Sequence, residues 1–271
     1  MCPRSVTDLF KIDAEPLVER VALAIAADAY PSLDINAEVA RLDDLGHDLA
    51  RRAAQVRGAV EQAALLGTYV YDELGFRGNE EDYYDPRNSY LNEVLARRTG
   101  IPITLAVVLM ALGHRAGMRV DGVAFPSHFL VRLGGRDGVL VDPFFHARVL
   151  DRAALLAMLR RAMGPEAALR PEHVAPVGSR AIAARMLTNL KNVFERSGDH
   201  ARALVACDRL VDLTDAPEMT RDRGLHALAL GATAAAREDL ERYLAERPDA
   251  QDAGAVREAL RRAGSGRAAM Q

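Results

Sequence analysis

The sequence predicts an α+β chain: a helical first quarter, a middle built of one central helix and short strands, and a helical remainder. Three observations carry this reading. Apolar residues recur at helical spacing through the first 75 positions. One helix, Ile103 to Ala116, is apolar on almost every side and is followed by three short β-type runs. Beyond position 179 the helical pattern returns and repeats itself.

Taken in order, Leu17, Val21, Ile25 and Ala29 mark a first helix with one buried face. Ile35, Val39, Leu42, Leu45 and Leu49 mark a second, with Ser32 or Asp34 as its N-cap. Val60, Ala63, Ala64, Gly67, Val70 and Tyr71 mark a third, ending at Gly75. GFRGNEEDYYDPRNSY follows, too polar and turn-rich for regular structure. Long polar stretches of this kind inside a compact domain are uncommon and tend to be functional. Asn88 or Ser89 can cap the helix running to Arg98, and Gly100 can stop it. Pro102 suits the first turn of the central helix, where a missing N–H costs nothing.

Strands are predicted over 119–125, 128–133 and 139–144, with GGRDG between the last two as a hairpin signal. A hairpin symmetric about Gly135 pairs Phe129 with Val141, Leu130 with Leu140 and Val131 with Val139. His128 then faces Asp142 directly, with their Cβ atoms about 4.5–5.5 Å apart. A one-residue slip would separate them. A helix from Asp151 to Leu159 closes a domain over 1–160. GPEAALRPEHVAPVGS falls in a linker at 161–178, and repeats occupy 179–271. In those repeats Ala203, Cys207 and Leu210 recur 33 residues later as Ala236, Leu240 and Tyr243. This pattern resembles the tetratricopeptide repeat, whose period is about 34 residues with a small residue where two helices cross.

Composition bounds the function. The chain has 271 residues, 49% hydrophobic and 27% charged, with a formal net charge of -3. Acidic residues are interleaved with the arginines, a pattern that argues against nucleic acid as a partner. The longest apolar run, Ile103 to Leu112, falls short of the ~20 residues that span a bilayer, so no membrane partner is expected. MCPRSVTDLFKIDAEP has no apolar signal-peptide core, and Cys2 and Cys207 have no disulfide or metal spacing. These features predict a cytoplasmic protein with no cofactor and no metal. No feature sets an oligomeric state.

YYDPRNSYLNEVLARRTGIPITLAVVLMAL, followed by GVAFPSHFLVRL and VDPF, resembles the SirB-type family of transglutaminase-like proteins. The resemblance implies a small antiparallel sheet packed on the central helix, with repeats at the C-terminus. It also implies a triad in which a cysteine begins the central helix, a histidine serves as general base and acid, and an aspartate orients it. His128 and Asp142 match the last two positions. The nucleophile position holds Pro102, or at nearest Ile103 or Thr104, and no cysteine lies between Cys2 and Cys207. Thr104 is the nearest hydroxyl; Ser127 would point away from His128. Where the family commonly has glycine, this chain has Ser127, His146 and Ala147.

The expectation is a catalytically impaired domain whose old cleft and repeats bind a protein or peptide partner, with Tyr83, Tyr84, Asn88 and Ser127 as candidate contacts. The alternative is a hydrolase or acyl-transfer enzyme using His128 and Asp142 with a non-cysteine nucleophile. Plainer readings stand beside both: His128 and Asp142 as a fastener for the hairpin, Asn88 as a helix cap, and the tyrosines as anchors for the loop.

Overall fold

A computed structural model describes residues 5–265, which divide into two compact units, one ending at Met186 and the other beginning at Leu187. The first unit begins with helices α1 (Val6–Ile12), α2 (Val18–Ala27), α3 (Ile35–Ala53) and α4 (Ala59–Gly67). Asp34 is the N-cap of α3, its carboxylate accepting from the backbone N–H groups of Asn36 and Ala37. α4 runs on as a wider π-helical turn over Thr68–Glu73, which buries Tyr69, Val70 and Tyr71 together. The short α1 has too few turns to show a periodic apolar pattern.

Two short parallel strands, β1 (Arg77–Gly78) and β2 (Thr99–Gly100), enclose the polar loop and helix α5 (Leu91–Arg97). α5 is entered through a 3-10 turn at Pro86–Ser89. Asp85, not Asn88 or Ser89, supplies the side-chain cap there, and it caps that 3-10 turn. α5 stops at Arg98, which takes the left-handed conformation (φ 57°) expected of a terminating glycine, so Gly100 is free to pair in β2.

The central helix α6 (Pro102–Arg115) is buried along nearly its whole length. It contacts α2, α3 and the sheet strands β3 (Val120–Val123) and β4 (Leu130–Leu133). With β5 (Val139–Asp142), β6 (Arg148–Leu150) and β7 (Pro176–Val177), these strands form one antiparallel sheet in the order β6-β5-β4-β3-β7. Its other face carries a cluster of Val123, Phe125, Leu130, Leu140, Leu150, Leu155 and Leu159, the last two from α7 (Arg152–Met163).

The hairpin register differs from the expected one by two residues. Val131 pairs with Val141, Arg132 with Leu140 and Leu133 with Val139. The turn centres on Arg136 because Gly134 and Gly135 both adopt positive φ (83° and 75°) before the ladder resumes at Val139. The segment 161–178, expected as a linker, instead contributes β7 to the sheet edge, and the first compact unit extends to Met186. Two residues of strand leave no alternation to read.

The second unit takes in the end of α8 (Ser179–Ser197), then α9 (His200–Leu213), α10 (Pro217–Ala229), α11 (Thr233–Glu246) and α12 (Ala253–Ser265). The repeat alignment holds in three dimensions. Ala203 and Ala236, Cys207 and Leu240, and Leu210 and Tyr243 are all buried. Gly224 of α10 lies so close to α11 that an added Cβ would stand 3.0 Å from Leu240. Lys191 and Asp222 form a buried pair at 2.7 Å, and Glu195 also accepts from Lys191.

Candidate functional site

His128 sits at the end of a tight turn, its N–H donating to the Phe125 carbonyl at 3.0 Å. Its Nε2 meets Asp142 Oδ1 at 3.0 Å. The two are not directly opposed, since β4 begins only at Leu130. They meet on the diagonal because a shift of two residues leaves every side chain on the face it had. Asp142 is buried at 2% exposure, and the same Oδ1 also accepts the Phe144 N–H at 2.9 Å, so the carboxylate is fixed from two sides. His128 keeps 19% of its side chain exposed. Such a pair can hold an imidazole in one orientation and one tautomer.

The start of α6 is built differently. Pro102 occupies the first helical position and is buried. Thr104 is fully buried, accepts from the Ile101 N–H at 3.1 Å and donates to the Asn88 carbonyl at 2.7 Å. Its hydroxyl is the side-chain cap of the helix. Gly100 is tight against it: an added Cβ would stand 2.8 Å from Thr104 Oγ1.

The polar loop proves to be self-bonded. Asn88 is fully buried, donating Nδ2 to the carbonyls of Asp82 (2.8 Å) and Tyr83 (3.3 Å) and accepting from Asn79 at 3.0 Å. It is therefore a strut inside the loop and presents nothing to a ligand. Asp85 bonds Arg87 and lies 3.3 Å from Arg97. Burial opposes its charged form, but the Arg87 hydrogen bonds prevail and hold its carboxyl below the usual range.

Tyr83 and Tyr84 are nonetheless exposed, at 43% and 52%. Tyr84, Tyr83, Phe144 and Phe145 touch in sequence through edge-to-face contacts with centroids 5.4, 6.1 and 5.3 Å apart. Gly78 admits the Phe144 ring, which an added Cβ would meet at 2.7 Å. A cleft of about 790 Å³ lies here, walled by the loop residues Asn79 to Asp82 on one side and Phe144, Phe145 and His146 on the other. His128 and Asp142 do not line it, and it starts two residues beyond Asp142 along the chain.

Ser127, His146 and Ala147 are exceptional in backbone, with φ of 58°, 53° and 50°. These are the three positions where the family resemblance implies glycine, and the left-handed conformation is the physical reason. Ser127 is exposed at the turn. His146 stacks on Tyr71 at 5.2 Å. Tyr71, which sequence reasoning placed only on a helix face, donates its hydroxyl to the Pro143 carbonyl and so grips the segment after Asp142. Burial, and then the Asp142 charge, push its phenol far above the ordinary range, so it stays a neutral donor.

Of the two cysteines, Cys2 lies outside the described residues. Cys207 is fully buried on α9, and burial, reinforced by Asp222, pushes its thiol up to about 12. Among the described residues no cluster of His, Cys, Asp or Glu could hold a metal ion, and no helix is long and apolar enough to cross a membrane.

Comparison with known proteins gives two family matches. The model described as the transglutaminase-like superfamily matches residues 36–188, and that of a tetratricopeptide repeat matches residues 190–261. A UPF0162 protein of Xylella fastidiosa is 39% identical over 255 residues, covering 92% of this chain and 91% of that protein. A UPF0162 protein of Pseudomonas aeruginosa is 30% identical, covering 84% of each. Human F-box only protein 21 is 43% identical over 76 residues, which are 28% of this chain and 12% of that protein. No solved structure gives a significant match.

Proposed function

This chain belongs to the transglutaminase-like superfamily, and from that premise we propose that it is a catalytically impaired, SirB-type member acting as a protein- or peptide-binding module in the cytoplasm. The observation that carries the proposal is the closed start of α6. Where acyl transfer needs an activated nucleophile, there is a proline, and the nearest hydroxyl is buried with its hydrogen bonds committed to Ile101 and Asn88. The one cysteine among the described residues is buried on α9 with its thiol pushed up to about 12. Binding is supported by the exposed rings beside the 790 Å³ cleft and by the tetratricopeptide repeat, a fold that presents surfaces to extended peptides. In this reading the His128–Asp142 bond fastens the turn to β5, and Tyr83, Tyr84 and Phe145 contact the partner.

One observation favours a second reading, a hydrolase or acyl-transfer enzyme with a non-cysteine nucleophile: the dyad is hydrogen-bonded and His128 is partly open to solvent. Peptides selected from a displayed library on the full chain, followed by fluorescence anisotropy, separate the two. Binding that falls at least tenfold in Tyr83→Ala with Phe145→Ala, and is unchanged in His128→Ala, supports the module. Turnover of amide or ester substrates that His128→Ala abolishes, in a variant that still folds, would establish the enzyme.

A further inference from the structure

A second cleft, of about 580 Å³, opens at the far edge of the sheet, where β3, the β4–β5 hairpin tip, α7 and the segment leading to β7 meet. Five arginines line it, Arg119, Arg132, Arg136, Arg152 and Arg170, against one carboxylate, Asp121. This concentration of positive charge stands out in a chain whose net charge is -3. Several arginines elsewhere are neutralised by carboxylates: Arg87 and Arg97 by Asp85, Arg115 by Glu19 and Asp43, Arg223 by Asp208 and Asp239. Here, among the described residues, only Arg170 has a carboxylate within 4.0 Å, Glu172 at 3.8 Å, and both of those side chains are mostly exposed.

The cleft is also constructed. Arg132 donates Nη1 to the Arg136 carbonyl at 2.9 Å and Nη2 to the Val174 carbonyl at 2.6 Å, which holds its guanidinium in a fixed plane. Its Nε is buried and has no acceptor in the protein. Arg119 lies along Gly135, where an added Cβ would stand 3.1 Å from its Nη1. Asp121 is the cross-strand partner of Arg132 in the β3–β4 ladder.

Unpaired guanidiniums in a concave site raise the local potential and match the geometry of phosphate oxygens. The volume lies within the ~300–1,000 Å³ usual for small-ligand sites. Its apolar lining is Leu169, Val174, Ala175 and two prolines, with no aromatic face on which a base could stack. We propose that this cleft binds the phosphate chain of a small oligophosphate, with Arg119, Arg136 and Arg152 as the free cations that hold it and Arg132 as their fixed neighbour. Free triphosphate and the phosphate tail of a nucleotide share this chemistry. Without a stacking face, the site should treat them alike.

Calorimetric titration of the full chain with inorganic triphosphate, and separately with ATP, tests this. Saturable binding of both, within threefold of each other and weakened by added salt, is the expected result. Arg119→Ala with Arg152→Ala should lower the affinity at least tenfold without moving the ligand-free melting temperature. Arg77→Ala, in the other cleft, should leave it unchanged; if the double variant unfolds, Arg136→Ala alone should give at least a threefold loss. Absence of saturable binding, binding indifferent to these substitutions, or single-stranded RNA held at the same arginines more tightly than triphosphate would overturn the proposal.

Discussion

The two ends of the candidate site have been treated in opposite ways by the same fold. At the hairpin end, His128 and Asp142 keep an aligned hydrogen bond with one partner still open to solvent. At the helix end, Thr104 is sealed, and its hydroxyl is spent on the Ile101 N–H and the Asn88 carbonyl. The difference teaches that a polar group's chemistry depends on what remains after structure has claimed its hydrogen bonds. The hairpin end leaves part of an imidazole open to solvent, whereas the helix end leaves a buried hydroxyl with its hydrogen bonds made.

Mutation should rank the two ends accordingly. The largest loss is expected from Asn88→Ala, which removes a fully buried side chain and leaves the buried Asn79 amide and the Asp82 carbonyl without their partner. Its cost should be about 3 kcal/mol, from an unsatisfied-group penalty of about 1–3 kcal/mol each, and chemical denaturation would measure it. Thr104→Val should follow at about 2 kcal/mol, because it leaves the Ile101 N–H without its acceptor. His128→Ala should cost less, about 1 kcal/mol, since Asp142 keeps the Phe144 N–H and the imidazole is partly hydrated. A larger loss at His128 than at Thr104 would reverse the comparison.

Much of this was legible in the sequence, for reasons that can be named. The central helix announced itself because it is apolar on all sides, and the repeats because burial recurs every 33 residues, from Ala203 to Ala236. The His128–Asp142 contact was readable even though the register was misplaced, because the error was an even number of residues. What escaped was structure without a period. β6 and β7 are two or three residues long, and the π-helical turn at Thr68 looks like ordinary helix. Asn88 looked like a cap or a contact because its type suits both; only its burial shows that the loop bonds to itself. The glycine departures at Ser127, His146 and Ala147 were visible as letters, but their meaning, three left-handed residues, required the backbone.

Those three positions offer a smaller test on the hairpin side. A left-handed non-glycine residue costs roughly 1–2 kcal/mol, part of which glycine gives back as unfolded-state entropy. Each of Ser127→Gly, His146→Gly and Ala147→Gly should therefore stabilise the protein by about 0.5–1 kcal/mol, seen as a raised melting temperature. His146→Gly should gain least, since it also loses the stack on Tyr71. The smallest effect at neutral pH concerns Cys207. Its thiol is raised from an ordinary 9.0 to about 12 in the fold. Its contribution to stability is thus complete below about pH 9 and declines as pH climbs towards 12. Alkylation at pH 8 should therefore be slow in the native protein and fast once it is unfolded.

The most direct test of the central claim is covalent labelling. The full chain would be incubated with an activated acyl ester and with a fluorophosphonate, and its adducts mapped by intact-mass and peptide mass spectrometry. The closed start of α6 predicts no adduct at Thr104 or Ser127, and a background rate unchanged by His128→Ala. Stoichiometric labelling of either hydroxyl, lost in His128→Ala while the fold persists, would contradict it and return the site to catalysis.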